Sequence, residues 1–386
     1  MPAALRLAAF YFAYFAYIGA FTPYFPVYLA GRGLQPTEIA GVLAMPQIAR
    51  IFAPTFWGWL ADRADARRAV VVTSCAALAA GFAALPYAPD FRGIMLLVAG
   101  TSILSAGGLP LVEAITLSAL AGRSGHYGPI RLWGSIGFIA AVLLVGAWLD
   151  AHTPAGLTGI LLALALAALA ASVVLPRAAG AALPAAGGES APDGRASASV
   201  YALIGAGFCM AAAHGALYAF LTLHLQRLGY SGKSIGALWT LGVLAEIIVF
   251  FYLPALFRRF SLPAILLFSL LAAVVRFAAI GWAAGFLAVL VVAQLLHAAT
   301  FGAFHAACVA TVQRLFPAAA HARGQALFSS LAYGGGGAAG ALLAGWGWEM
   351  GGPALTFSLA AGVAAVGATL VFWLPPQQLN DGLHVR

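Results

Sequence analysis

Between Lys233 and Arg259 the chain reads KSIGALWTLGVLAEIIVFFYLPALFRR. That is long enough to cross a bilayer as one helix, since about 20 apolar residues span the roughly 30 Å hydrocarbon core. Twelve such stretches occur, at 6–30, 38–61, 69–88, 93–120, 130–149, 157–175, 200–225, 234–257, 263–282, 286–312, 325–347 and 353–374. In lipid a segment has to satisfy its own backbone polar groups, so each stretch is predicted to be helical. Only 8% of the 386 residues are charged and 63% are hydrophobic, whereas a soluble domain carries about 25% charged residues. The expected fold class is an all-α integral membrane protein with twelve transmembrane helices.

One long polar break, 176–199, is rich in Pro, Gly, Ala and Ser and reads as a flexible linker. It separates an N-terminal bundle, 1–175, from a C-terminal bundle, 200–375, with a tail at 376–386. The halves repeat each other. At an offset of 196, Phe12 falls on Phe208, Gly19 on Gly215, Leu29 on Leu225, Gly33 on Gly229, Ile39 on Ile235, Ala49 on Ala245 and Arg63 on Arg259. The expectation is two pseudo-symmetric six-helix bundles. The same offset sets Arg50 against Glu246, a cation and an anion each near the middle of its span. A charge at that depth is costly and marks a functional site by default. The two are expected to approach each other; a salt bridge that merely locks helices is the alternative.

Thirteen arginines fall in loops and tails on the side of both termini, and Arg32, Arg92, Arg227 and Lys233 on the other. This bias predicts cytoplasmic termini in a plasma membrane. The net charge of +8 forms no stripe, so nucleic acid is not an expected partner. The first apolar run is too long for a signal peptide and reads as the first span. Cys75, Cys209 and Cys308 lie in apolar segments with no metal-ligand spacing and read as free buried thiols. No nucleotide loop or catalytic triad spacing is present. Neither an enzyme nor a cofactor or metal protein is expected. Asp150 and Glu349, at the ends of spans, read as solvated.

The loop after the second span runs Gly58-Trp-Leu-Ala-Asp62-Arg63-Ala-Asp65-Ala-Arg67-Arg68. It resembles the GxxxDRxGxRR signature of the major facilitator superfamily. Gly58, Asp62, Arg63, Arg67 and Arg68 would then form its gating motif, with Gly58 permitting close helix approach. Asp65 stands where that pattern has glycine. The resemblance implies two six-helix bundles with a solute site at mid-depth.

Glu113 lies in Leu-Pro-Leu-Val-Glu-Ala, and Arg131 in Tyr-Gly-Pro-Ile-Arg-Leu-Trp-Gly-Ser. These stretches are similar to the sugar-binding Glu and Arg segments of lactose permease-type oligosaccharide/proton symporters. By that resemblance Glu113 and Arg131 pair or share a solute, and Phe138 stands where the family has a stacking Trp. Arg276 and His297 match that family's proton network, but Thr300 occupies the place of its Glu. The strings around Ala49-Arg50, His214 to Tyr218, Leu228 to Ser231, and Trp239 to Glu246 resemble the 3-phenylpropionate permease branch. Tyr14, Tyr17, Tyr24 and Tyr28 keep near-helical spacing and would make one half-polar face, a cavity wall or an internal packing seam.

Together these readings give a secondary active transporter that imports a small organic solute with protons by alternating access. The solute would be an aromatic carboxylate or a sugar. Expected binding residues are Arg50, Glu113, Arg131, Glu246, Phe138, Trp239, Tyr17, Tyr24 and His214. Expected proton-coupling residues are Glu246, Glu113, His297 and Arg276. The partners are solute, protons and the lipid bilayer of a bacterial inner membrane, with the protein acting as a monomer. A proton-driven efflux antiporter and a non-transporting sensor are the alternatives.

Overall fold

Apolar runs of this length leave the backbone no partner but itself, and the chain is helical throughout its regular elements. The computed structural model describes residues 2–120, 127–176 and 194–374. Helices α1 (Ala3–Gly31), α2 (Pro36–Arg63), α3 (Arg67–Ala84), α4 (Phe91–Ser105), α5 (Gly108–Leu120), α6 (Tyr127–Leu149) and α7 (Leu157–Val173) come first. Then follow α8 (Gly194–Arg227), α9 (Gly232–Arg259), α10 (Leu262–Ala283), α11 (Leu287–Leu295), α12 (Phe304–Leu315), α13 (His321–Phe328) and α14 (Gly336–Val371). A π-helical turn, Ala298–Ala303, joins α11 to α12, and a second, Ser329–Gly335, joins α13 to α14.

Among the described residues, eleven helical segments are long and apolar enough to cross a membrane. The last of them, Ala318–Val371, has 54 residues, about 80 Å of helix and far more than one bilayer needs. It carries a break at Gly351 and Gly352, the second at φ 64°, followed by Pro353. Helix α8 starts at Gly194, inside the stretch expected to be linker. The rest of that linker, 177–193, and the tail from 375 lie outside the described residues, as do Arg123 and Arg386.

The chain forms two compact units, Met1–Leu183 with Leu225–Ala237, and Pro184–His224 with Leu238–Arg386. The residues matched by the repeat have matching jobs. Gly33 (φ 81°) and Gly229 (φ 83°) end α1 and α8. In each, the glycine N–H bonds back to Ala30 or Gln226, and the next N–H to Leu29 or Leu225. This double closure of a helix end requires a left-handed residue, which glycine supplies without strain. In the first unit α1 crosses α6 where Gly137 meets the backbone of Phe12, and in the second α8 crosses α14 where Gly336 meets the backbone of Phe208. A Cβ at either glycine would collide with a carbonyl oxygen. Small residues at such crossings let helix backbones approach closely.

Within the first unit Asp150, after α6, is exposed and also takes backbone partners. Its carboxylate accepts the backbone N–H of Gly232 and, at 3.1 Å, that of Lys233. It thereby caps the start of α9, where unpaired N–H groups and the helix dipole favour an anion. Cys75, Cys209 and Cys308 are free and buried.

Candidate functional site

In the second unit, α10 presents Arg276, 1% exposed, to a ring of acceptors from its neighbours. One guanidinium nitrogen, NH1, reaches His214 Nε2 at 3.3 Å, His297 Nδ1 at 3.1 Å and Thr300 Oγ1 at 3.0 Å. The other, NH2, donates to Gln294 Oε1 at 2.9 Å. Gln294 donates its own amide to the Leu238 carbonyl at 3.1 Å. Arginine cannot accept a hydrogen bond, so these partners assign the rings. His297 accepts at Nδ1, and its hydrogen lies on Nε2. His214 Nδ1 faces the Met210 carbonyl at 2.9 Å, so its hydrogen lies on Nδ1 and its Nε2 accepts. Both imidazoles are thus neutral beside a buried cation, with opposite tautomers.

His297 Nε2 faces Glu246 Oε2, 3.8 Å away on α9. That approach depends on glycine. A Cβ at Gly302, in the π-helical turn, would lie 3.1 Å from Glu246 Cγ and 3.0 Å from Val249 Cγ1. Wider π turns of this kind are frequent at functional positions. The unit therefore brings together Arg276, His297, His214 and Glu246, all expected from the sequence. It adds Gln294 and makes Thr300 an acceptor for Arg276. Residues 294, 297 and 300 are spaced by three on one apolar stretch, and that spacing is the signal by which Gln294 could have been found.

Aromatic rings extend the cluster. His297 stacks on Phe301 (centroids 5.3 Å, interplanar 15°) and Phe301 on His305 (6.3 Å, 12°). His214 approaches Tyr218 at 6.0 Å, and Tyr218 stacks on Trp239 at 6.2 Å. Trp239 is buried, and its indole N–H donates to Thr222 at 3.2 Å.

In the first unit Arg131 lies over the face of Phe15, 3.8 Å from the ring centroid, and 5.5 Å from that of Tyr11. Cation–π contact of this kind holds a guanidinium without neutralising it. Among the described residues no ion pair joins Arg131 to Glu113, so of the two expected arrangements the direct pair is not formed. Tyr17 is buried among Tyr14, Phe21 and Phe82. Tyr24 donates its hydroxyl to the Val142 carbonyl at 2.8 Å and is 1% exposed. For these two tyrosines the packing alternative describes the unit better than a cavity wall. Phe138 is half-buried, with its backbone against Gly19. Arg50 is exposed on α2, and Glu113 is half-buried on α5.

The loop after α2 is closed by Arg67, whose Nε donates to Asp62 Oδ1 at 2.9 Å. Arg68 reaches the Val173 carbonyl, and Arg63 lies 5.6 Å from the Trp59 ring centroid. Asp65 adopts φ 48°. That left-handed backbone is what the signature's glycine provides, and Asp is among the few other residues that enter it readily. The turn keeps its shape despite the substitution. Gly58 does not serve close approach, because a Cβ there would meet nothing within 4 Å.

Long apolar helices, a loop of this form after the second of them and a polar cluster in the span region fit a membrane transporter of the major facilitator type. Residues 4–359 match the MFS_1 like family, and the chain belongs to it. It is 30% identical over 309 residues to the "Probable 3-phenylpropionic acid transporter" of Escherichia coli (strain K12), covering 78% of this chain and 80% of that one. It is 34% identical over 146 residues to the "Maltose permease" of Geobacillus stearothermophilus, covering 37% and 36%. A crystal structure of the nucleoside transporter NupG superposes with a TM-score of 0.77 at 18% identity, over 97% of this chain and 99% of that one. At that identity the likeness concerns the fold alone. Family and relatives are transporters, not enzymes.

Proposed function

We propose that the protein is a proton-coupled symporter that imports a small organic acid, foremost an aromatic carboxylate, by alternating access. The observation that carries this reading is the run from buried Arg276 and His297 to half-buried Glu246 inside membrane-spanning helices. Ionisable groups so placed are the usual elements of proton relays in transporters. The relative named for 3-phenylpropionic acid favours the aromatic carboxylate over a sugar. In this reading the break at Gly351–Gly352 divides the last long segment into two spans. The chain then has twelve spans, two six-helix bundles (1–175 and 200–375), a linker at 176–199 and a tail at 376–386. Both termini are cytoplasmic, and the protein acts as a monomer in a bacterial inner membrane.

Arg50 takes the solute carboxylate, because a guanidinium binds carboxylates through paired hydrogen bonds. Glu246 takes the proton. A carboxylate that loses a cationic partner gains affinity for a proton. Binding of the solute anion at Arg50 thus promotes proton uptake at Glu246, and the coupling is reciprocal. Arg131, with Glu113 nearby in sequence order, forms a second polar station toward the inner face, and His297 is the reserve proton carrier. The Asp62–Arg67 loop, with Arg63 and Arg68, steadies the gate.

The test is uptake by proteoliposomes of 3-phenylpropionate, maltose and a nucleoside, each with and without an inwardly directed pH gradient. 3-Phenylpropionate should accumulate only with the gradient. Accumulation indifferent to the gradient would remove the proton from the mechanism. Gradient-driven exit would make the protein an antiporter, and binding without movement would make it a sensor.

A further inference from the structure

Arg276 is a fully buried cation, and its acceptors (His214, His297, Thr300 and Gln294) are all neutral. Its Nε has no partner at all. Among the described residues no carboxylate comes within ion-pair distance of it. Burying a charge without a counter-ion is costly, yet the position that best suits a counter-ion is filled. Gln294 Oε1 sits 2.9 Å from NH2, where a glutamate of the same length would make an ion pair. The amide cannot turn over, because its NH2 group is committed to the Leu238 carbonyl at 3.1 Å. A flip would set donor against donor at Arg276 and acceptor against acceptor at Leu238.

The consequence is electrostatic. The titratable and charged groups around Arg276 are His214 and Tyr218 from α8, Glu246 from α9 and His297 after α11. The two histidines are neutral by their hydrogen bonds. Glu246 is the carboxylate of this group, on the far side of the His297 ring: Arg276 lies 3.1 Å from Nδ1 and Glu246 3.8 Å from Nε2. We infer that Gln294 is a positioning residue for coupling: by giving Arg276 a neutral partner, it leaves the guanidinium charge to act on Glu246. This rests on the symport reading, in which the charge state of Glu246 ties proton to solute.

The inference is tested first without any solute, by a double-mutant cycle on the purified full chain in detergent. Glu246→Gln strips the carboxylate that faces His297 and should lower Tm by about 1–2 °C in a chain of 386 residues. In a Gln294→Glu background Arg276 has its own counter-ion, and the same substitution should shift Tm by less than half as much. Equal shifts in the two backgrounds overturn the inference. If Gln294→Glu yields no folded protein, Gln294→Asp takes its place in the cycle. A second arm reads transport of 3-phenylpropionate. Gln294→Glu should keep counterflow while gradient-driven accumulation falls about tenfold, the effect of one pK unit on a coupled proton site. Neutral Gln294→Leu should keep both. Wild-type accumulation by Gln294→Glu, or equal uncoupling by Gln294→Leu, also overturns the inference. Failure of the wild-type protein to respond to the gradient is a different result and sinks the symport reading itself.

Discussion

At the scale of single residues, the charged groups of the buried cluster were legible in the sequence. Glu246, Arg276 and His297 stand out because a charge or imidazole in an apolar run has no cheap explanation; Arg50 stands out for the same reason but lies exposed on α2. Gln294 did not stand out. A single amide in an apolar helix has no pattern of its own, and only its spacing from His297 and Thr300 gives it a direction. Tyr17 and Tyr24 failed to separate for the opposite reason: helical spacing is the same for a packed face and a lining face, and the structure packs both. The roles of the charges make a sharp expectation. If Arg50 anchors the solute as proposed, Arg50→Ala should abolish both counterflow and gradient-driven uptake. Glu246→Gln should retain counterflow and lose accumulation by at least about tenfold. Radiolabelled counterflow beside gradient-driven uptake in the same vesicles separates the two. Accumulation at wild-type level by Glu246→Gln would move the proton to His297.

At the scale of helices, the repeat was readable because glycine has geometric work that few residues can share. Gly33 and Gly229 close helix ends, while Gly19 and Gly215 meet the backbones of Phe138 and Gly340. The two π-helical turns were not readable, since nothing in composition distinguishes Ala298–Ala303 from the α-helix on either side. Gly58 was read as a crossing glycine from its place in a signature, and the space around it says otherwise. These cases predict opposite responses to one added methyl. Gly137→Ala forces a methyl onto the Phe12 carbonyl and should cost about 1–3 kcal/mol, the usual penalty of overpacking. Gly58→Ala should leave stability unchanged or raise it by up to about 1 kcal/mol, because alanine is the better helix former. Thermal unfolding in detergent followed by tryptophan fluorescence compares them directly. A larger loss for Gly58→Ala than for Gly137→Ala would refute the account of both.

At the scale of the whole molecule, hydropathy alone made a polytopic helical membrane protein inescapable, and the Asp62–Arg68 loop narrowed it to one superfamily. Segment counting is coarser. Twelve apolar runs in the sequence correspond to eleven continuous helical segments, because a broken helix of 54 residues holds the last two. If Gly351–Gly352 is the turn between two spans, the chain crosses an even number of times and both ends lie on one side. Reporter fusions at Asp381 and within 183–195 should both report cytoplasm. An external signal from either would undo the twelve-span topology and the orientation with it.

The opposite tautomers of His214 and His297 carry one more implication. His214 ends at the Met210 backbone, and His297 points its one accepting nitrogen at a guanidinium that gives up no proton. Among the described residues the run meets a carboxylate at Glu246, 3.8 Å from His297 Nε2. It is a cul-de-sac rather than a wire. In the symport reading, a proton taken up at Glu246 would leave by the same door once that door faced the other side. A blind alley of this kind does not short-circuit the membrane when no solute is aboard.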